Sequence, residues 1–373
     1  MKKILLVAAN NFSKSGVPTV FMNIVRNLSS KDFRFDIIYF DDSSNYFKEE
    51  FLRCGGHAFL IKEHYKNSFL TKLSRYINRG HKYRKALKIM EKNGPYDAIH
   101  CFKEYRSDIY LKAAFKSGIS KRIYHSNNML SIGGNILNKI LSTKEKKVCR
   151  KFVTNLIGCS SQSCESVFGK DFQYEVFNNP YDVSKFYFSK INLDIFDSNN
   201  ITFVQTAGFC DGKNQLFSLE VILYIKKVFP KVILHLIGSE IEKNYLTRIK
   251  KRVKELDLEN NVSFHKYDVD QKMLFDRSNY FIFPTKTDAF GIVLIEAQAC
   301  GLKCIASDSV PESTNVGGCA RLSLSIGANK WADFILKDFA NKGWHKKQYD
   351  CSSFSNENII QKYIDLYREQ TDE

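Results

Sequence analysis

Two carboxylates with seven residues between them, Asp288 and Glu296, lie in the run Thr285–Lys303, TKTDAFGIVLIEAQACGLK. The apolar strand-like segment before it ends at Pro284, so Asp288 falls in a loop. Gly291 then opens an apolar helix, and Gly301 caps it. Free N–H groups at Phe290, Gly291, Ile292 and Val293 would form an anion site at the start of that helix. Glu296 stands one to two turns into the helix, and a carboxylate among apolar residues needs a polar partner. A ligand hydroxyl and a backbone cap are both open. A second loop, Thr206–Asn214 (TAGFCDGKN), places Lys213 between a strand and a helix, where an ammonium can neutralise a diphosphate or simply face solvent. A third, Asn10–Pro18, brings Gly16 and then Pro18 to the start of a helix, which suits phosphate binding or a plain turn. His125, in YHSNN, closes another strand and is either a core imidazole or a ligand contact. Asp268-Val269-Asp270 has the form of a metal-binding D-x-D, but it precedes QKMLFDRS, where Asp270 reads as a helix N-cap.

The elements that must hold these residues alternate between strand and helix. Ile4–Ala9 precedes a helix at Pro18–Leu28 and a strand at Phe35–Phe40. Ala98–Cys101, Asp108–Ser117 and Arg122–His125 continue the pattern. It restarts at Thr202–Ala207 and runs through Leu216–Val228, Val232–Gly238, Tyr245–Leu256, Val262–His265, Tyr280–Pro284, Gly291–Ala299 and Cys304–Ala306. Such alternation predicts parallel α/β sheets with ligands at the carboxyl ends of the strands. Two starts in 373 residues predict two doubly wound domains. The segment Pro180–Asn200, without clear period, reads as the linker. The amphipathic Asn358–Tyr367 reads as a terminal helix packing across the domains.

Composition narrows the classes. Hydrophobic residues make up 44% of the chain and aromatics 14%, enough to exclude a disordered chain. The ten cysteines contain no C-x-x-C pair, which argues against a structural zinc site and for a reduced, cytosolic protein. The apolar run at the N-terminus turns polar at Asn10, too early for a signal peptide, and no apolar run reaches the length of a membrane span. The net charge of +16 is uneven: residues 1–190 hold 33 Lys and Arg against 16 acids, and residues 191–373 hold 23 against 24. Within 71–92, eight basic residues (Lys72, Arg75, Arg79, Lys82, Arg84, Lys85, Lys88, Lys92) accompany one acid and helically spaced Leu87 and Met90. Lys144, Lys146, Lys147, Arg150 and Lys151 form a second cluster. A solvated face and a surface for anionic lipid headgroups both fit. Nucleic acid is disfavoured, since no helix-turn-helix, zinc-finger or RNP-like signature is present.

The run DAFGIVLIEAQACGLKCIASD resembles the acid-x7-Glu segment of the GT-B glycosyltransferases of retaining family 4, especially those that assemble bacterial capsular, exopolysaccharide or O-antigen chains. The resemblance covers nearly the whole chain: SGVPTVFMNIVRNL, YDAIHCF, RIYHSNN, IGCSSQSCESVFG, VFNNPYDVSKF and LIGSEIEKNYL are each similar to family segments. It implies the GT-B fold, two Rossmann-like doubly wound domains facing a cleft. The acceptor-binding domain is expected at 1–185 and the nucleotide-sugar domain at 186–355, with 356–373 a helix packing back on the first. It also implies roles. Glu296 would hold the ribose hydroxyls and Asp288 the hydroxyls of the transferred sugar. Lys213 and the N–H groups of Phe290–Val293 and Gly16 would hold the diphosphate, and His125 would stand near the sugar. No metal or cofactor is implied. The family's first acid is usually Glu and here is Asp288, and its usual Arg five residues before the Lys is here Gly208.

The activity that follows is retaining, metal-independent transfer from a nucleotide-diphosphate sugar to a glycan or polyprenyl-diphosphate-linked acceptor in cell-surface polysaccharide synthesis. The basic N-terminal half would hold the protein on the inner face of the cytoplasmic membrane. Two alternatives remain at this stage: a nucleotide-sugar-binding scaffold subunit with weakened catalysis, motivated by Gly208 and Asp288, and a GT-B-like nucleotide-sugar epimerase.

Overall fold

A computed structural model of the chain describes residues 1–8, 10–13, 15–29, 32–62, 71–103, 107–127, 129, 143, 146–148, 150–189 and 200–369, with only the backbone for 71–78. Two compact units result. The first comprises Met1–Pro180 with Glu357–Glu373, and the second Tyr181–Asn356.

In the first unit the described strands are β1 (Lys2–Val7), β2 (Phe33–Tyr39), β3 (Ala58–Leu60), β4 (Ala98–Cys101), β5 (Lys121–Ser126), β6 (Asn155–Gly158) and β7 (Glu175–Val176). They form one parallel sheet in the order β3-β2-β1-β4-β5-β6-β7. Strand β1 shows why its sequence is apolar throughout. Ile4 and Leu6 point into one core with the Gly16–Leu28 helix, and Leu5 and Val7 point into another with Ile109, Tyr110 and Ala113 of the Ser107–Lys116 helix. A parallel sheet covered on both faces needs such continuous hydrophobicity. The Asn356–Arg368 helix belongs to the first of these cores. Tyr367 packs 5.8 Å from Phe33 and 6.0 Å from Phe35, and Tyr363 packs 5.1 Å from Phe177.

In the second unit the strands are β8 (Thr202–Thr206), β9 (Ile233–Ile237), β10 (Val262–His265), β11 (Tyr280–Phe283), β12 (Lys303–Ser307) and β13 (Cys319–Leu322). Their parallel sheet has the order β10-β9-β8-β11-β12-β13. Phe203, Tyr280, Ile282 and Ile305 fill its core with Trp331 of the Ala328–Ala340 helix.

The unit boundary lies at Pro180/Tyr181, five residues earlier than expected, and the first part of the expected linker is packed. Tyr181 N–H donates to the Phe354 carbonyl (3.1 Å), and Phe186 is buried 5.7 Å from Phe275. These anchors are aromatic residues set in polar sequence, so no period announces them. The rest of that expected linker, 190–199, lies outside the described residues.

The basic run also differs from a uniform charged face. The Thr71–Asn93 helix exposes Arg84, Lys85, Lys88 and Lys92 and buries Ala86 and Met90. Arg79, however, pairs with Asp108, and Lys82 is buried. The side chains of Lys72 and Arg75, and Lys144 of the second cluster, lie outside the described residues. Among the described residues no helix is long and apolar enough to cross a membrane.

Candidate active site

In the second unit, β8 and β11 are neighbours from which the strand order runs outward in opposite directions. In such sheets the carboxyl ends of the two strands at this junction are the usual ligand position. Lys213 and Asp288 meet there. Lys213 ends a short turn, Asp211–Lys213, after β8, and its ammonium forms an ion pair with the Asp288 carboxylate from the loop after β11. The ammonium also lies 5.4 Å from the centre of the Phe283 ring. It is thus a positioned charge rather than a loose one in a solvated turn. A second pair, Lys286–Asp211 at 2.6 Å, joins the same two loops, and the Thr285 hydroxyl and Lys286 N–H both donate to the Gly212 carbonyl (2.9 and 2.8 Å).

Asp288 also shapes the start of the next helix. Its Oδ1 accepts from Phe290 N–H at 3.0 Å, a local turn that a short side chain closes readily. So Phe290 N–H has a protein acceptor. Gly291 follows at φ 82°, a left-handed conformation that favours glycine, and no side chain caps the Ile292–Ala299 helix. Its first N–H groups, at Ile292 and Val293, are left for an anion. At the other end Gly301 (φ 79°) donates to Gln298 O and Leu302 N–H to Ala297 O, the paired bonds of a glycine-terminated helix.

Glu296 lies on the second turn, partly buried. Among the described residues none hydrogen-bonds its carboxyl group, so the backbone-cap alternative is not what the structure shows. Burial pushes the group up to about 8; the charge of Asp182 adds to this and Lys185 opposes it. Tyr267, its own hydroxyl pushed up to about 12 by burial, is electrostatically linked to Cys210 and Glu296. Asp182, Lys185 and Tyr267 carry no sequence signal that links them to Glu296; chain folding alone brings them there.

Gly208 is buried under Ile241. A Cβ at Gly208 would lie 2.0 Å from the Ile241 Cδ1 atom. Ile241 itself is 66% exposed and comes from the loop after β9, which is zipped to the Gly208 loop by Phe209 N–H to Ser239 O (2.8 Å) and Ile241 N–H to Phe209 O (3.2 Å). Asp270 caps the Gln271–Asp276 helix, accepting from Met273 N–H at 3.0 Å. Among the described residues no three His, Cys, Asp or Glu residues gather as a metal site.

The other two expected residues belong to the first unit. Gly16 opens its helix after β1 in open space, and Ser15 makes no side-chain cap. Phe12, packed against Phe21, Tyr39 and Phe51, pins the preceding loop. His125 is the penultimate residue of β5 and is fully buried. Its Nδ1 lies 3.1 Å from His100 Nε2, and His100 Nδ1 lies 2.6 Å from the Tyr367 hydroxyl. Burial pushes His125 down to about 3 and holds His100 well below its usual range, so both rings are neutral at pH 7. Among the described residues His125 Nε2 has no hydrogen-bond partner, nor do the side-chain atoms of buried Asn127 two residues on. A buried polar atom left in that state costs about 1–3 kcal/mol.

Comparison with known proteins bears on the family and the fold. The profile of the family described as glycosyl transferases group 1 matches residues 195–316, which contain Lys213, Asp288 and Glu296. EpsF of Bacillus subtilis, named a putative glycosyltransferase, is 24% identical over 90% of this chain and 88% of its own. CapH of Staphylococcus aureus, a capsular polysaccharide biosynthesis glycosyltransferase, is 23% identical over 77% of this chain and 81% of its own. Anabaena HepE, solved in complex with UDP and glucose, superposes with a TM-score of 0.78 over 99% of this chain and 100% of its own at 17% identity. The chain is a glycosyltransferase of the GT-B fold, with its glycosyl transferases group 1 match confined to residues 195–316. For this nucleotide-sugar-dependent glycosyltransferase, the two sheets of seven and six strands are the two Rossmann-like halves of GT-B.

Proposed function

We propose that this glycosyltransferase takes a sugar from a uridine diphosphate donor and passes it, with retention of configuration and without a metal, to a lipid-linked glycan in cell-surface polysaccharide synthesis. The observation that carries the reading is the Lys213–Asp288 pair at the switch point, beside an uncapped helix N-terminus and a Glu296 carboxyl that no described residue hydrogen-bonds. The diphosphate would take Lys213 and the N–H groups of Gly291, Ile292 and Val293, and Glu296 would take the ribose hydroxyls. Gly16 would supply one further N–H, and Phe290 N–H would join only if Asp288 released it. Catalysis then consists of stabilising negative charge on the departing diphosphate. Asp288, engaged by Lys213 and by Phe290 N–H, is not free to act as a nucleophile, which favours attack on the face from which the leaving group departs. It would instead touch hydroxyls of the transferred sugar, with His125 near the same sugar.

HepE supports the choice of UDP, and CapH and EpsF support the polysaccharide context. Exposed Arg84, Lys85, Lys88 and Lys92 support a peripheral position on the anionic inner leaflet, where a polyprenyl-diphosphate-linked acceptor would lie.

A melting screen of nucleotide sugars tests the donor, because a cognate ligand raises the melting temperature by mass action. Binding to UDP should weaken on Glu296→Ala. No stabilisation by any nucleotide sugar, with unchanged UDP binding by the variant, would overturn the reading. The scaffold alternative keeps one observation in its favour: Ile241 fills the space that a side chain at position 208 would enter, leaving Lys213 to neutralise the diphosphate without the family's usual arginine. Donor binding without turnover, restored by a second protein, would select it.

A further inference from the structure

Tyr367, His100 and His125 form a chain of hydrogen bonds from the C-terminal helix to the end of β5, wholly within the first unit. All three side chains are at most 1% exposed. The two imidazoles are tilted only 15° from parallel with centroids 5.2 Å apart, while their facing nitrogens are 3.1 Å apart. That combination places the rings edge to edge, with one nitrogen aimed at the other, rather than face to face.

Three neutral groups in a row allow two proton arrangements. In one, Tyr367 O–H donates to His100 Nδ1, His100 Nε2–H donates to His125 Nδ1, and His125 carries its proton on Nε2. In the other every bond reverses. The Tyr367 proton then needs another acceptor in a buried site, and His125 Nε2 is left as a bare lone pair. No second partner of the Tyr367 hydroxyl is found among the described residues. The first arrangement uses the one proton the hydroxyl has and leaves a single unsatisfied group, His125 Nε2–H.

We propose that Tyr367 is a positioning residue: through His100 it fixes His125 in the tautomer that presents an N–H at Nε2 to an oxygen of the sugar substrate. This rests on the reading that His125 faces the sugar. It assigns the C-terminal helix a task beyond closing the core. Asn127, two residues along, has both side-chain polar atoms buried and without a partner among the described residues, as a subsite for a hydroxylated ligand requires.

The test uses the full chain labelled with 15N-histidine, read by long-range proton–nitrogen correlation, with His125→Gln to assign the signal. The wild type should show His125 protonated on Nε2. Tyr367→Phe keeps the ring against Phe33 and Phe35 and removes only the hydroxyl. It should convert His125 to the Nδ1–H form or a mixture, and His100→Phe should do the same should the first variant not fold. With nucleotide sugars that stabilise the chain, Tyr367→Phe should lower kcat about tenfold with little change in KM. A proton on His125 Nδ1 in the wild type, or an unchanged tautomer in both variants, overturns the relay. His125→Ala separates the two ideas. If it keeps full turnover, His125 does not face the sugar and both fall. If it loses turnover while Tyr367→Phe changes neither tautomer nor kcat, only the relay falls.

Discussion

Glu296 gives the site a pH signature that can be read without knowing the donor. In the folded chain its carboxyl is pushed up to about 8, against an ordinary value of 4.5, chiefly by burial. Between those two pH values the folded state holds a proton that the unfolded state has released, so stability falls as pH rises and levels off above the upper one. The full shift corresponds to about 5 kcal/mol, and solvent reaching a partly exposed side chain reduces this to roughly 2–3 kcal/mol. Glu296→Gln removes the titration and keeps the volume. The variant and the wild type should therefore melt together near pH 5 and separate by roughly 5–10 °C near pH 9, with the variant the more stable. UDP should reverse the order of benefit. In the proposed role of Glu296 ribose hydroxyls would donate to the ionised carboxylate, so UDP affinity of the wild type should rise with pH up to about 8 while that of Glu296→Gln stays flat. Melting curves that run parallel from about pH 5 to pH 9 would refute the buried, unpartnered carboxyl.

Three further outcomes follow from other parts of the chain. Gly208→Arg displaces only the exposed end of Ile241 and adds a cation beside Lys213; UDP affinity by calorimetry should increase roughly tenfold, and an unchanged or weaker affinity would show that the space does not adjoin the diphosphate. Truncation after Ser355 strips Tyr363 and Tyr367 from Phe33, Phe35 and Phe177. It should lower the melting temperature of the first unit sharply, since losing even one such ring from a core costs about 3–5 kcal/mol. Replacing exposed Arg84, Lys85, Lys88 and Lys92 by Gln should abolish sedimentation with anionic vesicles, at about 1 kcal/mol per charge, and leave neutral vesicles unaffected.

The central strands of the two sheets were legible in the sequence because both of their faces are covered. Ala98–Cys101 and Tyr280–Phe283 are short, fully buried blocks bounded by polar turns, and they appear where expected. What lay hidden was of two kinds. Some elements, such as the edge strand Ala58–Leu60 and the strand Cys319–Leu322, are too short or too mixed in polarity to show a period. Others depend on distant partners. The apolar and aromatic residues of the Asn356–Arg368 helix announced an amphipathic surface, but not that one of its tyrosines would hydrogen-bond a histidine on β4. Likewise Glu296 was visible as an anomalous carboxylate, whereas Asp182, Lys185 and Tyr267 around it come from segments with no motif of their own.

The substitution of Asp for the family's more usual Glu at position 288 looks in sequence like a shortened reach toward the sugar. The structure gives the shorter side chain a use. Its Oδ1 closes a two-residue turn onto Phe290 N–H while Oδ2 engages Lys213, so one carboxylate holds both the loop after β11 and the cation after β8. A longer side chain would have to fold back to make the first bond and would give up the local turn that an Asp favours. With Gly208 providing no charge of its own, fixing the site's Lys213 through Asp288 places that cation beside the Ile292–Ala299 helix N-terminus before any ligand arrives. Preorganised charge where the proposed diphosphate leaving group would sit is usually the largest contribution such a site makes. The two departures from the family pattern are thereby linked: the loss of one cation at 208 raises the demand on the position of the other, and the acid at 288 meets it.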